Sequence, residues 1–299
     1  MLNCLKRGED KVEIDGKTEK VGLIGHPVSH SFSPVMHNAA FEFLKMNYVY
    51  TAFDVKPESI REAVQGLSAL GFKGVNVTVP HKESVIPFMD SLSDEAKIIG
   101  AVNTIKFSDE EIKGYNTDAY GFSAAIEKAF SIKLEGKKIF VIGAGGGAKA
   151  VATQSAIDGA KKITVTDISE GKAEQLTNNI RKNICSVQIE AVKTESREMK
   201  NAVEDADIII NATPLGMKDK DPIPIDTNLI GKGQKIFDLI YNPKETKLMK
   251  EAQMKGCEVS NGLMMLLYQG MKSFEIWTGI RPPEEVMKKK LESRVFGGK

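Results

Sequence analysis

Three cysteines in 299 residues, Cys4, Cys185 and Cys257, are too few and too scattered for a disulfide framework, and no two have thiolate metal-site spacing. Histidine is equally sparse. His26, His30, His37 and His81 all fall in the first 81 residues and lack an HExxH-type pattern, so no catalytic metal is expected. Neither sign of charge is in excess: a net +1 gives no general attraction to nucleic acid or to an anionic membrane, which points to a small-molecule partner. No apolar run approaches the ~20 residues that span a bilayer. The first twenty residues carry Lys6, Arg7, Glu9, Asp10 and Lys11 where a signal peptide would have an apolar core. A cytoplasmic location is therefore expected. With 41% hydrophobic and 27% charged residues, the chain has an ordinary globular composition and is long enough for two domains with separate cores.

The densest information lies in Gly143-Ala144-Gly145-Gly146-Gly147-Ala148 and its surroundings. Lys138 to Ile142 is short, apolar and β-branched, and reads as a buried parallel strand. Ala148 to Asp158 reads as a helix. Ile163 to Thr166 reads as a second strand ending at Asp167, 24 residues beyond Gly143. Strand, glycine turn, helix, strand and terminal acid are the parts of a Rossmann dinucleotide-binding unit. The first glycine permits the tight turn, the second lets the backbone approach a pyrophosphate, and Ala148 is small enough for close helix packing. Unpaired N–H groups at the helix start favour the phosphates. Asp167 suits a ribose 2′-hydroxyl and repels a 2′-phosphate; Ile168, Ser169 and Glu170 follow, with Lys172 the nearest cation. NAD is thus expected, with NADP as the second choice.

Alternating strands and helices run through the rest. Strands are expected at Val21–Ile24, Tyr48–Val55 and Gly74–Val79, with a hairpin-like pair at Ala101–Phe107 and Ile112–Tyr115. Further strands fall at Ala206–Asn211 and Lys235–Leu239. Helices are expected from Ser33-Pro34 to about Leu44, and over Pro57–Leu70, Lys82–Met89, Asp94–Ile99, Asp118–Ala129 and Leu263–Trp277. A last helix opens at Pro282-Pro283. The fold class is α/β: two α/β domains, the first with a mainly parallel sheet and the second a Rossmann unit, joined near Thr117-Asp118 with a cleft between them.

Binding a dinucleotide does not define a reaction, and polar residues at strand ends of the first domain are the candidates for one. Ser29-His30-Ser31-Phe32-Ser33-Pro34 offers hydroxyls at a strand-to-helix passage suited to a carboxylate, unless Ser33 is simply an N-cap. In Asn76-Val77-Thr78-Val79-Pro80-His81-Lys82, strand alternation puts Asn76 and Thr78 on one face. Lys82 opens the next helix, an unfavourable place for a cation unless it has another task. Asn103 begins a strand in Ala101-Val102-Asn103-Thr104. Asp118, in Tyr115-Asn116-Thr117-Asp118, either caps its helix or faces the cleft.

These segments occur in a fixed order: HSFSP at 30–34, NVTVPHK at 76–82, AVNT at 101–104, YNTDAYG at 115–121 and GAGGGA at 143–148, then NATPLGM at 211–217, DLIYNPKET at 238–246 and NGLMMLLYQ at 261–269. Together they resemble the shikimate dehydrogenase family, including its quinate/shikimate branch, over roughly residues 21–278. The resemblance implies reversible NAD(P)-dependent oxidation of shikimate to 3-dehydroshikimate in the aromatic amino-acid (chorismate) pathway, with quinate as a further substrate. It implies a substrate-binding domain over 1–117, completed by C-terminal helices over 262–299, and a dinucleotide domain over 118–261. It makes Lys82 and Asp118 the catalytic pair, and Ser31, Ser33, Asn76, Thr78, Asn103, Tyr241 and Gln269 the substrate-binding set. Gly143, Ala144, Gly145, Gly146, Gly147, Ala148, Asp167, Asn211, Ala212, Thr213, Leu239, Gly262 and Met265 fall to the cofactor. The chain lacks the Asn-Arg-Thr of many NADP-using members after the second strand. The alternatives are another dehydrogenase on the same architecture and a nucleotide-binding sensor without turnover; the intact Lys82 and Asp118 argue against the sensor. Nothing in the sequence separates a monomer from a homodimer.

Overall fold

A computed structural model describes residues 14–297; Cys4 and the charged residues from Lys6 to Lys11 lie outside them. The first sheet contains β1 (Glu19–Gly25), β2 (Tyr48–Asp54), β3 (Phe72–Val77), β4 (Ser91–Leu92), β5 (Thr104–Phe107) and β6 (Ile112–Tyr115), in the order β2-β1-β3-β5-β6-β4. β1 pairs in parallel with β2 and β3, and β4 with β6, while β5 runs antiparallel to both neighbours. Its helices are α1 (Ser33–Phe43), α2 (Ile60–Ala69), α3 (His81–Ser84) and α4 (Asp94–Ile99).

From β6 the chain passes through α5 (Asp118–Phe130) into the second sheet. This sheet comprises β7 (Lys138–Ile142), β8 (Lys162–Thr166), β9 (Gln188–Val192), β10 (Ile208–Asn211), β11 (Lys235–Asp238) and β12 (Glu258–Asn261). All pairings are parallel, and the order β12-β11-β10-β7-β8-β9 puts the switch point between β7 and β10, as in a dinucleotide-binding fold. Ile208, Ile209 and Ile210 are fully buried in succession, as a strand covered on both faces requires. The covering helices are α6 (Gly146–Ile157), α7 (Glu170–Asn183), α8 (Arg197–Asp205) and α9 (Lys247–Met254). Finally α10 (Leu263–Thr278) packs along α5, and α11 (Glu284–Phe296) along α1. Trp277 of α10 donates its indole N–H to the Ile105 carbonyl of β5 at 2.9 Å, tying the chain's end to the first sheet.

Three departures from expectation shape the cleft. β3 ends at Val77, because the chain turns at once: the His81 N–H donates to the Thr78 carbonyl at 2.9 Å. The helix expected over Lys82–Met89 is one turn, α3, followed by a 3-10 turn at Ile86–Phe88; Pro87 has no N–H to continue an α-helix. Helix α6 begins inside the glycine turn, at Gly146, two residues before Ala148.

Candidate active site

Lys82 and Asp118 meet. The Nζ of Lys82 lies 2.5 Å from Oδ2 of Asp118, with the side chains 19% and 10% exposed. Asp118 does not cap α5, whose N-cap is Thr117; its other oxygen, Oδ1, accepts from Asn103 Nδ2 at 2.8 Å. The Thr117 N–H, which can only donate, lies 2.7 Å from Asn103 Oδ1. That contact fixes the amide's orientation and turns its Nδ2 toward the carboxylate. The acid is therefore held by the Lys82 amino group on one oxygen and an amide on the other.

A buried polar lattice supports this pair. Asn76 Oδ1 accepts from the Tyr50 hydroxyl at 2.8 Å, and its Nδ2 reaches Ser273 Oγ at 2.9 Å and Thr104 Oγ1 at 3.1 Å. Ser273 Oγ lies 2.7 Å from Thr104 Oγ1 and donates to the Gln269 carbonyl at 3.0 Å. These groups are buried, and each has a partner, as a rigid buried polar network requires. Burial raises the Tyr50 hydroxyl above its usual range, so it stays a neutral donor to Asn76.

The pair opens into a cavity of about 270 Å³. Ser31, Ser33, Asn76, Thr78, Asn103, Tyr241 and Gln269 all border it, joined by Gly147, Leu239, Gly262 and Met265. Ser33 is not an N-cap: Phe32 holds that position, and Ser33 is the first residue of α1, its N–H directed at Ser31 Oγ at 3.3 Å. Tyr241 stands edge-on to Phe32, its phenol pKa raised by burial.

A second cavity, of about 920 Å³, is bordered by Gly143, Gly145, Asp167, Ala212 and Thr213, with Ile168, Lys172 and Lys200 at its edge. Gly143 has φ +105°, and a Cβ there would stand 3.0 Å from the Ala212 carbonyl oxygen, so the turn needs glycine. Nothing lies within 4 Å of a Cβ placed at Gly145, leaving its backbone open. Asp167 accepts the Ala144 N–H at 2.7 Å and the Ser169 N–H at 2.8 Å, which locks the carboxylate at the tip of β8. An open turn, a helix N-terminus and a fixed acid suit a dinucleotide's phosphates and ribose.

Four residues assigned to the cofactor border neither cavity. Ala144 and Ala148 are buried in the core. Gly146 faces the stem of Lys82, where a Cβ would meet Cδ at 3.6 Å. Asn211 is fully buried, donating to Asp238 Oδ1 and the Leu215 carbonyl while accepting from Thr213, so it folds the loop that presents Ala212 and Thr213. Sequence reading also missed Asp238. This buried carboxylate, its pKa raised by desolvation, gathers Asn211, the Ile240 N–H and Thr246; an acid at the end of an apolar strand inside DLIYNPKET was the available signal. His30 also borders the smaller cavity. Sequence reading gave no role to Tyr50 or Ser273, and left Thr104 unassigned beside Asn103 in AVNT.

The chain is similar to known proteins along most of its length. A family model for the shikimate dehydrogenase substrate-binding domain matches residues 23–105, one for shikimate/quinate 5-dehydrogenase matches 124–217, and one for the shikimate 5′-dehydrogenase C-terminal domain matches 262–292. The shikimate dehydrogenase (NADP+) of Methanopyrus kandleri is 42% identical, over 93% of this chain and 96% of its own. A crystal structure of a shikimate dehydrogenase in complex with NADP+ superposes with a TM-score of 0.89 at 41% identity, covering 96% of this chain and 99% of that one. The Listeria monocytogenes shikimate 5-dehydrogenase in complex with shikimate and NAD has a TM-score of 0.88 at 35% identity, covering 93% and 98%.

Proposed function

The chain belongs to the shikimate dehydrogenase family, and on that premise we propose that Lys82 and Asp118 carry the proton chemistry of its reaction. The reaction is the reversible NAD(P)-dependent oxidation of shikimate to 3-dehydroshikimate, an oxidoreductase reaction on a CH–OH group. When bound, the dinucleotide supplies the hydride acceptor. Everything else falls to the chain. Lys82 takes the proton from the reacting hydroxyl, and Asp118, oriented by Asn103, fixes that hydroxyl and steadies the amine. The observation that carries this reading is the 2.5 Å Lys82–Asp118 contact at the edge of a cavity bordered by the whole substrate-binding set.

Ser31, Ser33 and Tyr241 bind the ring carboxylate in this reading, while Asn76, Thr78, Asn103 and Gln269 divide the ring hydroxyls and carboxylate. Gly143, Ala144, Gly145, Gly146, Gly147 and Ala148 form the pyrophosphate turn, some through backbone and some through packing. Asp167 takes the ribose, and Asn211, Ala212, Thr213, Leu239, Gly262 and Met265 shape the rest of the dinucleotide site. Residues 1–117 with 262–299 form the substrate domain, and residues 118–261 the dinucleotide domain. Quinate shares the carboxylate and ring hydroxyls and is a second substrate. The enzyme acts in the cytoplasm as a monomer or homodimer without a nucleic-acid or membrane partner; among the described residues no helix is long and apolar enough to cross a membrane.

NAD is the preferred cofactor, because Asp167 meets the ribose and Ile168 and Ser169 bring no cation to a 2′-phosphate. Relatives named for NADP+ make this the sharpest point to test. Absorbance assays at the NADH band, with shikimate and with quinate against NAD and NADP, test the reaction, its substrates and its cofactor. Faster reduction of NAD supports the reading of Asp167, and a clear NADP preference overturns it.

A further inference from the structure

Two contacts join the helix that opens the dinucleotide turn to the short helix that carries Lys82. The Lys149 ammonium on α6 lies 2.8 Å from the Glu83 carboxylate on α3. Beside it, Gly146 at the start of α6 faces the aliphatic stem of Lys82. Glu83 follows Lys82 directly in the chain, and Lys149 stands in the first turn of α6. Neither Glu83 nor Lys149 borders either of the two cavities. Lys82 is also tied from behind: its carbonyl accepts the Val102 N–H at 2.7 Å, one residue before Asn103. A shift of α3 would therefore move the lysine together with the strand start that orients Asp118.

The pair is favourable for a local reason. Glu83 brings a negative charge to the positive end of α6, where it is favoured by the helix dipole and offsets the cost of the Lys149 cation in the first turn. A dinucleotide settling on that helix end would order it, and an element already ordered by one ligand costs less to order for the next.

We propose that the Glu83–Lys149 ion pair is a positioning latch that couples dinucleotide binding at the α6 N-terminus to the placement of Lys82, so that dinucleotide and shikimate favour each other's binding. The proposal rests on the reading of the reaction above and goes beyond it, since the latch residues border neither cavity. The pair is partly exposed, with Glu83 58% and Lys149 22% accessible. Its effect is accordingly a few-fold rather than a thousandfold.

The test uses the dead-end complex of shikimate with reduced dinucleotide (NADH or NADPH, whichever the enzyme uses faster), which cannot turn over. Dissociation constants for shikimate are measured by calorimetry with and without the dinucleotide, and the reverse, in the unaltered protein, Glu83→Gln, Lys149→Gln and the double variant. Reduction of NAD or NADP by shikimate is recorded first in the unaltered protein, so that a failure of the reaction reading is not mistaken for a failure of the latch. The expected result is mutual tightening by the same factor for both ligands, as linkage demands. Each single variant should lose about threefold of that factor, the scale of one partly exposed ion pair. The double variant should lose no more than either single, and binding of each ligand alone should change less than twofold. High salt should reduce the coupling in the unaltered protein and leave the double variant unmoved. Absence of coupling in the unaltered protein, full coupling in the single variants, or losses that add in the double variant would each overturn the latch.

Discussion

The two cavities are built by opposite means. In the larger, the part suited to a dinucleotide is mostly backbone, one glycine turn, one helix end and one fixed carboxylate within 143–169, with residues from 194–200 and 212–229 closing the cavity around it. The smaller is mostly side chain, drawing on the β1–α1 passage, β3, α3, the approach to β5, α5 and α10, segments up to 238 residues apart from Ser31 to Gln269. A backbone site depends on local conformation and tolerates many neighbours. A converging side-chain site depends on packing, because every member must arrive at one place with its hydrogen bonds settled. Disturbance of the second should therefore harm chemistry and leave dinucleotide binding nearly whole.

Lys82→Met breaks that comparison most sharply. Turnover should fall by about a thousandfold, the usual reach of a positioned proton-transfer group, while the dissociation constant for the dinucleotide changes little. Steady-state rates and dinucleotide fluorescence titration check both halves, and equal losses in the two would remove Lys82 from its role. Next is Gly121→Ala in α5, where the new Cβ would lie 2.7 Å from the Met265 carbonyl oxygen and 2.9 Å from the backbone nitrogen of Gln269. Forcing α5 and α10 apart should cost about 1–3 kcal/mol, the usual range for overpacking, read as a lower denaturation midpoint. It should also raise KM for shikimate more than KM for the dinucleotide, because Gln269 moves.

On the backbone side, Asp167→Ser should shift the ratio of kcat/KM values toward NADP by about tenfold, the scale of one charge contact screened by solvent. KM for shikimate should hold. An unchanged cofactor ratio would mean that Lys172 and Lys200, at the same cavity's edge, decide the preference instead.

A further effect is seen only as pH falls and again lies on the substrate side. His37 is fully buried and stacked on Tyr50 at 4.4 Å, and neither of its ring nitrogens has a hydrogen-bond partner. Burial lowers its pKa from 6.5 to about 3. Because the folded value is the lower one, the unfolded chain takes up the proton first as pH falls. Its contribution is whole above pH 6.5 and is lost between there and about pH 3, at no more than about 1.4 kcal/mol per pH unit. Chemical denaturation across that window should show the slope, and His37→Phe should flatten it.

How far the sequence could be read follows the same division. β7 lies at Lys138–Ile142, as the apolar run implies, and α5 starts at Asp118 as expected. The strand, turn, helix and acid of the dinucleotide unit were legible because their spacing is set by local geometry. Three of the four edge strands were not: β9 and β12 are half-exposed and carry Gln188, Glu190 and Glu258, and β4 is two residues long, so none has the apolar run that marks a buried strand. α8 was equally opaque, with only Met199 and Val203 buried along nine residues. In the site, Asn76 with Thr78 followed from strand alternation. The meeting of Lys82 with Asp118 did not, because no local rule brings together residues 36 apart in different elements; the family resemblance supplied it. Ala144, Ala148 and Asn211 show the opposite failure, since membership of a motif does not reveal which members face the ligand and which pack behind it.

The most direct test is a crystal structure of the dead-end complex with shikimate and the reduced dinucleotide. The account predicts one ring hydroxyl within hydrogen-bonding distance of both the Lys82 amine and the Asp118 carboxylate, with the carbon bearing it facing the nicotinamide C4 and the ring carboxylate on Ser31 and Ser33. A shikimate bound elsewhere, or one whose hydroxyls touch neither Lys82 nor Asp118, would contradict it.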